Sequence, residues 1–193
     1  MDNKRLSIYR NMYAFGDDRS PRFANAGAGD FINNVVAGFR TPTEIFNKTS
    51  QHGDPDYGWQ VNLINNYWDS FNAAATPSVL VSQPHPQTLI HAAGNYNPDY
   101  VPSGAAGDQI DIFTGDSPAP FLRSSPVAVG APPIPYDVMT YSAAKNEVVN
   151  KAGASTATTA SRKPRGRGVG NTCATAISKC SSISDATSAS GKI

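Results

Sequence analysis

The sequence predicts a mainly irregular fold with short α-helices and a few short β-strands, and three observations predict it. Eleven prolines fall between residues 77 and 135, all eighteen aromatic residues lie at or before Tyr141, and Ser, Thr, Ala and Gly dominate from Ala152 onward. These features divide the 193 residues into an N-terminal arm with a small helical body (1–76), an extended proline-rich ribbon with short strands (77–135), a helix (136–153) and a Ser/Thr/Ala-rich basic tail (154–193). With 39% hydrophobic and 9% aromatic residues the chain can build one modest core.

In the body, Asp30 can cap a helix that carries Phe31, Val35 and Phe39 at intervals of four and ends near Gly38. Thr41-Pro42-Thr43-Glu44 reads as a cap, a first-turn proline and a residue reaching back to the cap, which predicts a helix over 42–49. The longest helix is expected from the apolar stripe Val61, Ile64, Trp68 and Phe71, widened by Leu63 and Tyr67 and stopped at Thr76-Pro77. Trp59, Trp68 and Phe71 are expected to be the densest part of the core, because aromatics bury the most area each. In the ribbon, proline excludes long regular elements, so only short strands fit, at 79–81, 109–113 and 126–129. Ser142 caps a last helix over 142–151, with Gly153 just past its end. No internal repeat of solenoid period is visible.

The charge is unevenly placed. Residues 1–151 hold ten Lys and Arg against fourteen Asp and Glu, a balance of −4, whereas 152–193 hold six against one, a balance of +5. The basic character is confined to the tail, whose composition cannot offset its ordering entropy alone. No stretch approaches the ~18 apolar residues of a spanning helix. The opening MDNKRLSIYR lacks the apolar region of a signal peptide, so synthesis in the cytosol is the expectation. Cys173 and Cys180 are read first as free thiols, with a local disulfide between them as the alternative in material that has left the reducing cytosol.

No motif predicts a reaction, a cofactor or a metal. Gly115-Asp116-Ser117 looks like the nucleophile block of GDS-type esterases, but His52, His85 and His91 all precede it and the chain after it is too short for that fold, so it is read as a turn. His85 and His91, six apart, do not share a metal at helical or strand spacing. Asp54, Asp56, Asp108 and Asp111 do not match a calcium loop and are read as turn and capping residues. Asn47-Lys48-Thr49 fits a glycosylation triplet and is read as unused.

The tail carries the remaining motif. RKPRGRGVG, from Arg162 to Gly170, resembles the AT-hook at Pro164, Arg165, Gly166 and Arg167 and departs from it at Gly168, where the hook has proline. The resemblance implies minor-groove contact; an electrostatic arm of Arg162, Lys163, Arg165 and Arg167 on acidic protein is the favoured expectation. Taken whole, with APPIPYD and the Ser/Thr/Ala tail, the chain resembles a minor capsid or cement protein of a large icosahedral double-stranded DNA virus of the chlorovirus type. That resemblance implies a structural virion protein, made in the host cytoplasm, that threads between the major capsid protein and other minor capsid proteins. A nucleic-acid-binding accessory protein that uses the tail, and a phage tail or neck protein, are the alternatives.

Overall fold

The computed structural model describes residues 5–24, 27–47, 58–70, 77–98, 112–128 and 137–151. Its strands are β1 (Arg5–Tyr9), β2 (Met12–Ala14), β3 (Arg22–Ala24), β4 (Gly27–Ile32), β5 (Val35–Ala37), β6 (Thr43–Phe46), β7 (Trp59–Ile64), β8 (Tyr67–Asp69), β9 (Val79–Ser82), β10 (Leu89–Ala93) and β11 (Phe113–Gly115), followed by one helix, α1 (Tyr141–Lys151). The expected mainly irregular architecture with short α-helices is therefore corrected to parallel sheets with a single α-helix among the described residues.

All pairings between these strands are parallel. The first sheet runs β1-β4-β7-β10, the second β2-β5-β8 and the third β3-β6-β9-β11. Up to β10 each sheet takes every third strand, so the chain visits the three sheets in rotation and stacks as a parallel β-solenoid. Its coils are β1–β3, β4–β6, β7–β9, and a fourth made of β10, a single bridge from Tyr96 to Tyr67, and β11.

The interior is built from rows of side chains in register. Ile8, Phe31, Leu63 and Ala92 stack from the first sheet, Tyr13, Val36 and Trp68 from the second, and Phe23, Ile45 and Val81 from the third. Trp59 and Trp68 both lie in this core, where Phe23 meets the Trp59 ring edge-on at 5.2 Å. Phe71 lies outside the described residues.

The corner between the first and second sheets explains why strands looked like helices. Each strand of the first sheet ends in one residue of positive φ, Arg10 (55°), Asn33 (55°), Asn65 (51°) or Gly94 (63°), and then an asparagine, Asn11, Asn34, Asn66 or Asn95. Two strands of period two joined by a two-residue corner place apolar residues three and four apart, which imitates the 3.6 period of a helix. Phe31 and Val35 are such a pair, with Phe39 two residues past β5, and Val61, Ile64 and Trp68 are such a set. The same asparagines are an internal repeat, 23, 32 and 29 residues apart. Unequal connections between the sheets hide it from a search for one fixed period.

The corner asparagines form a buried ladder. Asn34 Nδ2 donates to Ile8 O at 3.0 Å, Asn66 Nδ2 to Phe31 O at 2.8 Å and Asn95 Nδ2 to Leu63 O at 2.8 Å, each reaching the coil before its own. Their Oδ1 atoms accept from the main chain of the preceding corner, Asn11 N, Asn34 N and Asn66 N, at 2.9–3.0 Å. Corner backbone that no sheet could pair is satisfied this way.

The helix expected over 42–49 is β6. Thr43 and Glu44, which read as cap residues, make tertiary contacts instead. The described parts of 77–135 supply β9, β10 and β11, because Pro77, Pro84, Pro86 and Pro98 fall between strands and Pro118 and Pro120 after the last, where no ladder donor is lost. The last helix, expected over 142–151, is α1; Ser142 lies within it and Thr140 Oγ1 accepts from Ala143 N at 3.3 Å at its start, while Gly153 lies outside the described residues.

Candidate anion-binding face on the third sheet

The chain returns over two of its own three faces. After a 3-10 turn at Ala119–Phe121, Leu122 bridges to Ile90 and closes the edge of β10, with Arg123 N on Ile90 O at 2.8 Å. Residues 123–127 then strap the first sheet's outer face: Arg123 O meets His91 Nδ1 at 2.9 Å, and Val127 bonds Asn62 through both its N–H and its C=O. Asn62 Nδ2 also donates to Asp30 Oδ1 at 2.8 Å, so the row Asp30, Asn62 and His91 is buried although it points outward.

Further on, Asn33 holds Met139 by two hydrogen bonds, and α1 covers the second sheet's outer face, with Val148 and Val149 against Val35, Ala37 and Tyr67. Tyr141 stacks on Tyr96 at 4.5 Å, and Lys145 lies 4.4 Å from the Tyr67 ring centroid. Among the described residues, nothing comparable covers the third sheet.

That uncovered face carries Arg22, Glu44, Leu80 and Thr114 in one register row, with Ala24, Phe46 and Ser82 in the next outward row. Glu44 is 3% exposed, and its Oε2 has Arg19 Nε at 2.6 Å and Arg22 Nε at 2.8 Å. These are ion contacts fixed by distance, without hydrogen-bond alignment at Oε2. A buried carboxylate demands such compensation, since desolvating it unpaired would cost several kcal/mol. Each arginine side chain stays about one-third exposed. The Arg22 guanidinium lies over the Phe46 ring, 4.1 Å from its centroid, which fixes its plane. Arg22 Nη1 and Nη2 have no partner among the described residues, while Arg19 Nη1 is taken by Asp18 at 2.8 Å.

The turn Arg19-Ser20-Pro21-Arg22 sets the two arginines side by side. Arg19 has a φ of 37°, in the left-handed region that costs a non-glycine residue ~1–3 kcal/mol and gathers at ligand sites. Buried bonds hold the turn: Ser20 O accepts from Thr43 Oγ1 at 2.6 Å, Thr43 Oγ1 accepts from Trp68 Nε1 at 3.0 Å, and Pro21 O accepts from Glu44 N at 3.0 Å. The result is a cationic pair whose orientation is fixed before any ligand arrives.

The residues singled out from the sequence are placed elsewhere. Asp116 of the Gly-Asp-Ser string accepts from Gln83 N at 2.7 Å, as a turn residue does. His85 Nδ1 accepts from Gln87 N at 3.1 Å, and no cluster of three metal-ligating side chains occurs among the described residues. Asn47 is buried at 2% exposure. His52, Asp54, Asp56, Asp108 and Asp111 lie outside the described residues, as do Arg162, Lys163, Arg165, Arg167, Cys173 and Cys180.

Sequence reasoning missed Arg19, Arg22 and Glu44. The available signal was Arg-x-Pro-Arg, a rigid dipeptide between two cations, but its carboxylate partner is 22 residues past Arg22 and only the parallel register joins them. No helix of the described chain is long and apolar enough to cross a membrane. No protein-family model, curated protein or solved structure matches this chain.

Proposed function

We propose that the outward face of the third sheet binds a linear polymer bearing spaced carboxylates, a polyuronate-type polysaccharide. The observation that carries this reading is the arginine pair held on buried Glu44, on the one face that neither the strap nor α1 covers. A guanidinium presents a planar fork that matches a carboxylate, and Arg22 retains both terminal nitrogens for that purpose. Four strands spaced ~4.8 Å apart give the face a length of about 14 Å along the solenoid, suited to an extended chain. Glu44 halves the charge of the pair, and residues 1–151 carry −4, so a densely charged polyphosphate is disfavoured and a sparser polyanion is not.

Affinity electrophoresis through gels containing polygalacturonate, neutral dextran or duplex DNA tests the reading. Retardation by polygalacturonate alone is expected, abolished by Arg22→Ala and only partly restored by Arg22→Lys, which lacks the fork. Equal migration in all three gels would remove the proposal. Ultraviolet absorbance and viscosity of the same mixture read whether the bound polymer is also cut.

A structural virion role is the second proposal, as a minor capsid component that contacts the major capsid protein. The observation in its favour is the strap and α1, in which extended backbone, side-chain amides and apolar residues pack on the outer faces of the first two sheets. Recovery in purified particles at fixed stoichiometry is the expected result. A nucleic-acid accessory would instead be recovered with nucleic acid and released by salt, with a slope of about −3.6 for four neutralised phosphates.

A further inference from the structure

We infer, on the polyuronate reading of the third sheet's face, that Asp18 is an internal competitor for the arginine pair. It holds on Arg19 the place of a ligand carboxylate, so the face selects runs of neighbouring carboxylates over isolated ones.

The two guanidinium groups are anchored alike and finished differently. Each sets its Nε against the same atom, Glu44 Oε2, at 2.6 Å from Arg19 and 2.8 Å from Arg22, so the two forks are neighbours. On Arg22 the terminal nitrogens meet no described residue, and the Phe46 ring fixes the plane from 4.1 Å. On Arg19 the terminal Nη1 donates to Asp18 Oδ2 at 2.8 Å. That is the bond a bound carboxylate would make, supplied here by the chain itself. Glu44 and Asp18 together balance the charge of Arg19 and Arg22, so until Asp18 moves the open fork of Arg22 is the main attraction for an anion.

The loop between β2 and β3 presents Asp18 without locking it. Phe15 N donates to Ala37 O at 2.8 Å, and Arg40 of the second coil grips both oxygens of Asp17, at 2.7 and 3.3 Å, so the loop is tied down one residue before Asp18. Gly16 lies so close to Ser20 that a Cβ there would press on Ser20 Oγ, which folds the loop against the arginine turn. Asp18 itself is 56% exposed at its side chain, and among the described residues it bonds only the adjacent Arg19. An exposed pair of this kind contributes little, whereas Glu44 is buried and shared by both arginines, so Asp18 is the carboxylate that gives way. A single ligand carboxylate takes the open fork of Arg22 and leaves Asp18 in place. A second carboxylate beside it gains Arg19 by replacing Asp18.

Affinity electrophoresis of the full chain at low salt tests this, with two probes: polygalacturonate, and a highly methyl-esterified pectin in which adjacent free carboxylates are rare. Asp18→Asn is expected to bind polygalacturonate ~2–5-fold more tightly than the unsubstituted chain and to gain nothing on the esterified polymer. Asp18→Ser, shorter and also uncharged, should behave in the same way. Asp137→Asn makes the same charge change at an exposed position before α1 and should gain nothing on either polymer. Equal retardation of Asp18→Asn and the unsubstituted chain by polygalacturonate, with Arg22→Ala still unretarded, would overturn the inference and leave the polyuronate reading standing. An equal gain on both polymers, or the same gain in Asp137→Asn, would also overturn it, because charge alone would then account for the change. Retardation of Asp18→Asn alone would support it, the competitor then keeping the native pair closed, and retardation of no chain would remove the reading and the inference together.

Discussion

Replacing Asn66 with alanine removes the centre of the ladder. The side chain is fully buried and makes four hydrogen bonds: Oδ1 accepts from Asn34 N and Asn34 Nδ2 at 2.9 and 3.1 Å, and Nδ2 donates to Phe31 O and Asn95 Oδ1 at 2.8 and 3.0 Å. Two of those partners keep another bond, since Asn34 Nδ2 still reaches Ile8 O and Asn95 Oδ1 still accepts from Asn66 N. The other two, Asn34 N–H and Phe31 C=O, lose these partners in a dry corner. At about 1–3 kcal/mol for each unsatisfied buried group, the loss is roughly 2–6 kcal/mol. Asn11→Ala is the control, because among the described residues its side-chain amide bonds only Tyr9 O, at an exposed site, and a loss below ~1 kcal/mol is expected there. Urea unfolding with an unchanged m-value gives both numbers from the midpoints. If Asn66→Ala costs no more than Asn11→Ala, the ladder does not stabilise the corner and the reasoning fails. Where Asn66→Ala does not fold, Asn66→Ser, which keeps one short polar group, carries the same comparison.

Asn65→Val is expected to lower stability by about 1–3 kcal/mol and Asn65→Gly to leave it nearly unchanged, because the φ of 51° penalises a β-branched residue; thermal unfolding of both reads the difference. Thr43→Val removes the hydroxyl between Trp68 Nε1 and Ser20 O, so a loss of about 2–4 kcal/mol is expected with weaker retardation by polygalacturonate, and Thr43→Ser should restore both. Burial raises the phenol of Tyr13 above 10.0, so the folded state holds that proton more tightly than the unfolded one. The resulting stability is full below pH 10.0 and lost as pH climbs through the folded-state value, so spectrophotometric titration should show Tyr13 as a late component, absent in Tyr13→Phe. Glu44→Gln should lower stability yet widen binding toward duplex DNA, since the two arginines would then present a full double charge; gel retardation in both polymers measures it.

What the sequence made legible was composition and the last helix. The helix is a local feature, and local features survive in a single sequence to within a residue: Thr140 rather than Ser142 makes the first-turn bond, its Oγ1 accepting from Ala143 N at 3.3 Å. Parallel pairing is not local: β4 joins β7 with Phe31 beside Leu63, and that partnership depends on a connection whose length differs in every coil. Thr43 and Glu44 show the same limit from the other side. Their order suits a helix start, but the tertiary partners Ser20, Trp68, Arg19 and Arg22 outbid the local use. The burial of Trp59 and Trp68 needed only their size, whereas the arginine face needed the register.

The path from core to face follows from where Trp68 sits. It is fully buried among Phe31 and its neighbours, and its only polar atom reaches Thr43, whose hydroxyl passes the bond to the carbonyl inside the arginine turn. Trp68 belongs to the third coil, Thr43 to the second and Ser20 to the first, so the turn is held from two coils away. Loosening of the stack at β8 would thus be felt at Arg19 and Arg22 before the sheets part, because a left-handed Arg19 relaxes once its restraints weaken. A variant that only opens space beside Trp68, such as Val36→Ala, removes two methyls at a fully buried position and should cost about 1–3 kcal/mol. If the turn is held through this chain of bonds, the same variant weakens polyanion retardation although Val36 is fully buried in the core and is no part of the face. If the arginines are held by Glu44 alone, retardation stays at the unsubstituted level while the melting point falls, and the two readouts separate.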